Sequence, residues 1–283
     1  MFVICLTFKP NAGFLIQLTH FNKNIKQVKK KILYEQPLNE RMRNLLRLEH
    51  LFIGIMYRLK GPAEWDNRAV MDNLIEILEF IARIEFKRDL LKDLEHNIQT
   101  LTQWQRTPDI NTERLAHLID KTKALKEKIE QNQEHLGENL SQHQLIQLVR
   151  QRRSIAGGDC RCDLPAYSHW LQKNPKQRQV ELNEWLTPLL FLRDAIDVIL
   201  YLIRQNAITS QQTAPNGLFQ SQPESMSQCQ IIQVILPIEH PCYPEITGSK
   251  QRLIIRFFEQ PMSDEPPYQT EQSVHFKLCC CVN

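Results

Sequence analysis

The chain has 283 residues, of which 42% are hydrophobic, so it can bury the core of one large domain or two modest ones. Its formal charge is +3, but residues 1–36 hold six lysines against one acid, which leaves −2 for the remainder. This balance argues against a chain-wide attraction to nucleic acid, so any charge-driven binding has to come from local clusters.

The cysteines and the N-terminal residues bear on the cellular compartment. Eight cysteines, three of them adjacent at 279–281, indicate a reducing cytoplasm and not a disulfide framework. The start of the chain lacks a basic n-region and is interrupted by Lys9 and Pro10, so we expect no signal peptide. No apolar run approaches the ~20 residues of a membrane helix. We therefore expect a soluble, cytoplasmic protein with no membrane insertion.

Residues 1–32 differ from the rest of the chain, because a mixed apolar stretch is followed by the basic tether NKNIKQVKKK. One interpretation is an arm for a membrane surface or nucleic acid. We favour the other, a flexible N-terminal extension outside the main fold.

Helical periodicity dominates the chain from residue 37 to residue 144. Pro37 is suited to the first turn of a helix that ends before Gly61 and Pro62, and a second helix is predicted over 66–83. Two further amphipathic segments, 85–106 and 112–137, share a near-heptad register and are joined by a short turn containing Pro108. Such helices must run antiparallel, so the sequence predicts a projecting coiled-coil hairpin.

The segment 148–165, LVRQRRSIAGGDCRCDLP, separates this helical part from the C-terminal half of the chain. A helix over 138–153 breaks at Gly157 and Gly158, and DCRCDL then alternates polar and apolar residues with the two-residue period of a strand. Residues 175–205 are apolar on most sides and predict one or two central core helices.

Strand patterns appear after residue 205. Residues 206–228 are rich in Gln, Ser, Thr and Asn and are interpreted as a loop or linker, and strands are predicted over 230–236, 252–258 and 273–281. Strand period places Arg252 and Arg256 on one face, roughly 13 Å apart at ~3.3 Å per residue. The DCRCDL strand would supply a fourth member of the sheet.

The predicted fold class is α+β, with a mostly helical domain that carries the coiled-coil hairpin and a smaller antiparallel β-rich domain built from discontinuous segments. We assign residues 33–144 and 175–205 to the helical domain, and residues 145–174 and 206–283 to the β-rich domain.

Catalytic motifs are missing from the sequence. The eight glycines form no phosphate-binding loop, and the nine histidines form no HExxH motif. Cys160 and Cys162 are the one pair that suggests a metal-dependent enzyme, but alternate strand residues face one side, where thiols pack as small apolar groups. We expect them in the core, and we predict no metal, no cofactor and no enzymatic activity.

Local clusters of positive charge remain. Arg150, Arg152, Arg153 and Arg161 lie within twelve residues, and Lys250, Arg252 and Arg256 lie within seven. The guanidinium fork suits carboxylates and phosphates, so such clusters are typical receptors for acidic peptides. Two alternatives stay open: a coincidence of surface charge, and a basic patch that binds nucleic acid together with the lysine arm.

Several long, collinear stretches resemble the ZapD family of bacterial cell-division factors. They are LYEQPLNERMRNLLRLEHLF (33–52), FKRDLLKDL (86–94), LIQLVRQRRSIAGGDCRCDLP (145–165), NGLFQ (216–220) and YPEITGSKQRLIIRF (243–257). The resemblance covers residues 33–281. It implies a homodimer that binds the C-terminal tail of the tubulin-like protein FtsZ, bundles FtsZ filaments, and is recruited to the division site at mid-cell.

The resemblance also implies a tail-binding surface. Arg47, Arg83 and Arg252 match family positions that are candidates for it, and neighbouring basic residues of the same motifs complete the predicted set: Arg43, Arg150, Arg152, Lys250 and Arg256. The match has two departures. Ser168 stands where the family places a basic histidine, with His169 directly before Trp170, and Gln144 replaces a basic residue of close relatives. These departures predict a tail pocket of weaker charge or slightly different shape.

Overall fold

The structure is a computed structural model that describes residues 31–105, 112–132, 136–221, 228–249, 252–262 and 264–282. Over these ranges the chain forms helices and antiparallel sheets, which confirms the predicted α+β class. It divides into two compact units. The helical unit holds residues 45–200, and the β-rich unit holds the described residues of 1–44 and 201–283.

Along the described chain, one strand is followed by a block of helices and then by a block of strands. The helices are α1 (Glu40–Arg58), α2 (Glu64–Ile81), α3 (Ile84–Trp104), α4 (Thr112–Gln131), α5 (Glu138–Ser141), α6 (Gln144–Arg152), α7 (Pro165–Leu171), α8 (Pro175–Leu186) and α9 (Leu190–Gln205). The strands are β1 (Lys31–Pro37), β2 (Ala207–Ala214), β3 (Leu218–Ser221), β4 (Cys229–Pro237), β5 (Cys242–Gly248), β6 (Leu253–Glu259), β7 (Tyr268–Gln269) and β8 (Val274–Val282).

Helices α3 and α4 of the helical unit pack side by side and run antiparallel. Near the start of α3, Lys87 Nζ donates to the carbonyl oxygen of Asn132, just past the end of α4, at 2.5 Å. Further along, Lys126 Nζ lies 2.5 Å from Glu95 Oε2. Residue numbers therefore fall on one helix as they rise on the other. The antiparallel pairing predicted for this hairpin is confirmed, while its turn at 106–111 lies outside the described residues.

A buried arginine joins several segments of the helical unit. Arg178 on α8 is 5% exposed, and its guanidinium donates to the carbonyl oxygens of Pro62 at 2.8 Å, Lys173 at 2.6 Å and Leu171. Its Nε donates to Asn67 Oδ1 at 2.5 Å. Because the guanidinium of Arg178 is buried, losing it would leave the carbonyl oxygen of Leu171 and the amide oxygen of Asn67, both of buried residues, without this donor.

The β-rich unit contains two antiparallel sheets. The first has the order β1-β4-β8-β2, and the second has the order β3-β6-β5 with β7 also paired to β6. Aromatic rings from both sheets meet in one core, since Phe276 of β8 lies 5.0 Å from Phe257 of β6 and 5.4 Å from Phe219 of β3, centroid to centroid. The strands predicted over 230–236, 252–258 and 273–281 are confirmed as β4, β6 and β8.

The segment DCRCDL is not a strand, and this prediction is wrong. Residues 153–163 form successive turns inside the helical unit. Gly157 has φ of +67°, and Leu164 N donates to the carbonyl oxygen of Cys160 at 3.0 Å. Arg68 of α2 holds the turn by binding Asp159 through its carboxylate at 2.6 Å and its carbonyl oxygen at 3.1 Å. The ion pair between Arg68 and Asp159, which are far apart in the sequence, stabilises the turn although residues 159–164 alternate like a strand. Residues 145–174, expected in the β-rich part, therefore contain α6, turns and α7.

The sheets obtain their remaining strands from segments that the sequence pattern did not indicate. Residues 31–37, expected to be extension and helix start, form β1, which pairs with β4 from Lys31↔Pro237 to Pro37↔Ile231. Residues 206–221, expected to be a linker, form β2 and β3. β2 lies at a sheet edge with most of its polar residues exposed, so it lacks the apolar alternation by which strands are recognised.

Candidate partner-binding surfaces

Strand β6 separates its residues cleanly between core and surface. Leu253, Ile255 and Phe257 are buried at 1%, 0% and 0% exposure. Arg256 and the preceding Arg252 are exposed, and Ile254 and Phe258 are half-buried between and beside them. The predicted pairing of Arg252 with Arg256 on one side of the strand is confirmed.

The neighbours of β6 extend this outward face. Tyr243 of β5 stacks on Phe258 with ring centroids 6.1 Å apart, and Glu245 is the register partner of Arg256. Ser249 N donates to the carbonyl oxygen of Arg252 at 2.8 Å, and this bond closes the β5–β6 hairpin. The face therefore combines cations with half-exposed aliphatic and aromatic side chains on a rigid sheet. Lys250, also predicted for this surface, lies outside the described residues.

Helix α1 carries two of the predicted arginines one turn apart, roughly 6 Å along the axis. Arg43 lies in the β-rich unit and its Nε is 3.3 Å from Glu40 Oε2, whereas Arg47 is an exposed residue of the helical unit. The paired face predicted for these two residues follows directly from the helical repeat.

Arg83 marks the junction of α2 and α3 in the helical unit. It is the N-cap residue of α3, it is exposed, and its guanidinium lies 5.0 Å from the centroid of the Phe80 ring. This cation–π contact limits the directions that the long side chain explores. Arg83 is therefore a partly ordered surface cation.

The arginines between residues 150 and 161 meet an acidic stripe that was not predicted from the sequence. Arg150 Nε lies 3.3 Å from Glu79 Oε1, and Arg153 Nη2 lies 2.7 Å from Glu76 Oε1. Arg161 extends to Glu64 of the same helix, α2, at 3.6 Å. With Asp72, which lies 3.7 Å from Arg153 Nε, the acids Glu64, Asp72, Glu76 and Glu79 of α2 recur at spacings of eight, four and three residues, and that periodicity was the available signal. The segment is thus charge-compensated within its own unit, and Arg152 is exposed beside it.

Cys160 and Cys162 do not pack in the core, which corrects our expectation. Cys160 is half-buried and Cys162 is exposed, because the turn replaces the predicted strand. A hydrogen bond with Cys160 raises the pKa of the Cys162 thiol above its ordinary value.

In the β-rich unit, Cys229 and Cys280 form a disulfide between neighbouring strands with Cα atoms 5.6 Å apart, although we expected thiols. Cys242, Cys279 and Cys281 are buried thiols.

The two departures from the family pattern lie on the surface of the helical unit. Gln144 opens α6 and is exposed, and Ser168 and His169 lie on α7, where His169 is exposed and Ser168 is half-buried.

Among the described helices, none combines the length and the apolar character that crossing a bilayer requires.

Comparison with known proteins adds independent information. The model of the ZapD family, described as "Cell division protein", matches residues 46–256. The cell division protein ZapD of Methylococcus capsulatus is 36% identical over 255 residues, covering 90% of this chain and 100% of its own length. The ZapD proteins of Dechloromonas aromatica and Coxiella burnetii are each 34% identical over 88% of this chain, covering 99% and 97% of their own lengths.

Proposed function

Because the chain belongs to the ZapD family of cell division proteins, we propose that it binds the C-terminal tail of FtsZ and, as a homodimer, cross-links FtsZ filaments into bundles. In this proposal the protein acts in the cytoplasm, is recruited to the division site at mid-cell, and needs no cofactor. Its role is to support assembly of the division ring through binding and not through catalysis.

The main support for tail binding is the outward face of β6. An extended acidic peptide places side chains alternately to either side, and a strand presents receptors with the same spacing. Arg252 and Arg256 can each bind a carboxylate, while Ile254 and Phe258 between and beside them remain half-buried and can contact apolar side chains. Charge-assisted contacts would orient the peptide, and burial of the apolar groups would add affinity.

The remaining predicted arginines have unequal support. Arg47 and Arg83 are exposed, and Arg83 is braced against Phe80, so both can receive a peptide carboxylate. Arg150 already contacts Glu79 and Arg43 already contacts Glu40. A tail carboxylate would have to replace these partners. We therefore assign the main contributions to Arg83, Arg252 and Arg256, and keep Arg43, Arg47, Arg150 and Arg152 as further members of the surface.

Bundling follows from valency. A filament displays many tails, so after one protomer of a dimer has bound, the second binding event has a high effective concentration of tails. Two modest sites can then hold two filaments together. A monomeric variant should still bind a tail peptide but should not bundle filaments.

Pelleting of polymerised FtsZ tests the proposal directly. We expect the full chain to sediment with FtsZ filaments and to increase their pelleting at low speed, and we expect both effects to disappear with FtsZ that lacks its C-terminal tail. Equal sedimentation with tail-less filaments would refute tail binding. Retention on DNA at moderate salt, lost on removal of residues 1–31, would instead indicate the nucleic-acid alternative. Bundling by a proven monomer would refute the valency argument.

A further inference from the structure

The turn that links α6 to α7 brings three potential metal ligands together. The Sγ atoms of Cys160 and Cys162 and a carboxylate oxygen of Asp163 all lie within 4.8 Å of one another. Cys160 Sγ is 3.4 Å from Asp163 Oδ2. Throughout the described ranges, these three residues are the group in which His, Cys, Asp and Glu ligand atoms converge this closely.

The spacing of these atoms suits a tetrahedral ion. With Zn–S bonds of about 2.3 Å and Zn–O bonds of about 2.1 Å, the ligands of a tetrahedral site lie roughly 3.4–3.8 Å apart. The contact between Cys160 and Asp163 already falls in this range. The remaining separations exceed it by about 1 Å at most, which a rotation of the exposed Cys162 side chain can close.

Neighbouring charges leave the three ligands available. The guanidinium of Arg68 binds Asp159 at 2.6 Å, and the guanidinium of Arg161 extends to Glu64 at 3.6 Å. Arg161 of this turn and Arg68, which contacts it from α2, are thus directed at other carboxylates. Cys160 and Cys162 are also accessible, unlike the buried thiols of the β-rich unit, so a dissolved ion can reach them.

We propose that Cys160, Cys162 and Asp163 bind a thiophilic divalent cation of the Zn²⁺ class, with a water molecule as the fourth ligand. Both thiols release their protons to solvent on binding, so two thiolates and one carboxylate face a charge of +2. Soft sulfur ligands favour Zn²⁺ over Mg²⁺ and Ca²⁺, which prefer oxygen. The ion would fix the turn that connects α6 to α7, and this site is independent of FtsZ binding.

Cobalt titration provides the first test. The full chain, reduced with a phosphine and freed of metal by a chelator, is titrated with Co²⁺ as a spectroscopic substitute for Zn²⁺. We expect a sulfur-to-cobalt charge-transfer band and the intense visible bands of tetrahedral Co²⁺, saturating at one ion per chain. Zn²⁺ should abolish both, and excess Mg²⁺ should not. The absence of a charge-transfer band would overturn the proposal.

Matched variants locate the ion. Cys162→Ser and Asp163→Asn should each weaken Co²⁺ binding by at least about tenfold. The double variant with Cys160→Ser and Cys162→Ser should abolish the sulfur-to-cobalt charge-transfer band. Ser154→Ala, an exposed substitution in the same stretch of turns, should leave binding unchanged. A band that survives the double variant would place the metal at other cysteines and refute the site.

A measurement on the unmodified chain avoids any dependence on the folding of variants. Alkylation of Cys160 and Cys162, followed by mass spectrometry, should slow at least about tenfold when Zn²⁺ is present, because a metal-bound thiolate is a weaker nucleophile. The same labelling rate with and without Zn²⁺ would also overturn the proposal.

Discussion

Arg204 at the end of α9 binds Glu35 of β1 through two hydrogen bonds, from Nε to Oε1 at 3.0 Å and from Nη2 to Oε2 at 2.7 Å. Gln233 of β4 donates a third to Oε1 at 2.8 Å. The side chains of Arg204 and Glu35 are only 18% and 19% exposed. This network joins the edge strand to the helix and to the neighbouring strand, so the segment around Glu35 is an integral part of the β-rich unit.

Substituting Glu35 by Gln should therefore destabilise the protein. The change removes the negative charge opposite a largely buried guanidinium, and we expect a loss of about 2–3 kcal/mol in the free energy of unfolding. Urea denaturation followed by circular dichroism measures it. Glu271→Gln, an exposed substitution in the same unit, should change stability by less than about 0.5 kcal/mol. Equal effects of the two substitutions would contradict a structural role for Glu35.

Reversing the charge of arginines assigned to the tail-binding surface, two on β6 or directly before it and one on α1, should remove FtsZ binding without unfolding the protein. We expect Arg252→Glu, Arg256→Glu and Arg47→Glu each to abolish co-sedimentation with FtsZ filaments, because each replaces an attraction for the tail with a repulsion. Raising the salt concentration should weaken binding by the unmodified chain.

The matched control is Lys123→Glu, which makes the same charge change at an exposed position of α4. It should pellet with FtsZ like the unmodified chain, and all four variants should keep the circular dichroism spectrum. Normal pelleting of the Arg252 and Arg256 variants would remove β6 from the binding surface.

Two glycines with the same backbone conformation should respond differently to alanine. Gly217 and Gly157 have φ of +66° and +67°, so both substitutions carry the strain of a left-handed residue, about 1–2 kcal/mol. At Gly217 a Cβ would also lie 2.6 Å from the carbonyl oxygen of Thr270, whereas at Gly157 nothing lies within 4 Å.

We expect Gly217→Ala to lower the unfolding free energy by about 1–3 kcal/mol more than Gly157→Ala does, the additional cost being the close contact. Thermal and urea denaturation of the two variants, compared with the unmodified chain, give the difference. Equal destabilisation would mean that backbone strain alone restricts both positions.

The carboxyl group of Asp197 on α9 should make stability depend on pH. Burial is the main cause that raises its pKa from 3.8 to about 6. Repulsion by Glu49 and Asp194 also raises the pKa, whereas attraction to Arg193 and Lys121 lowers it. Between these two values the folded chain keeps a proton that the unfolded chain has lost. The stability associated with this proton is therefore present at low pH and is lost as pH rises through about 6.

Asp197→Asn keeps the neutral form at every pH. We expect the variant to match the unmodified chain near pH 4 and to exceed its unfolding free energy by about 2–3 kcal/mol near pH 8. Asp120→Asn, an exposed substitution on α4, should give the same small change at both values. A stability difference for Asp197→Asn that does not vary with pH would exclude this titration as the cause.

Much of the helical unit could be predicted from the sequence because its elements are defined by local periodicity. The apolar residues of α1 to α4 recur every three or four positions, so helix formation and burial follow from the same pattern. The outward pairing of Arg252 with Arg256 could be predicted for the same reason, since a strand has a period of two. These features depend only on residues close together in the chain.

The tertiary structure alone decided the features that depend on distant partners. The sequence by itself determined the amphipathic helices, three of the strands and the local arginine clusters. Only the fold determined that β1 and β2 complete a sheet, that Glu64, Glu76 and Glu79 compensate the arginines after residue 148, and that Cys160 and Cys162 reach solvent in a turn. An edge strand or a turn is stabilised by contacts with residues distant in the sequence, and the local sequence pattern does not indicate those contacts.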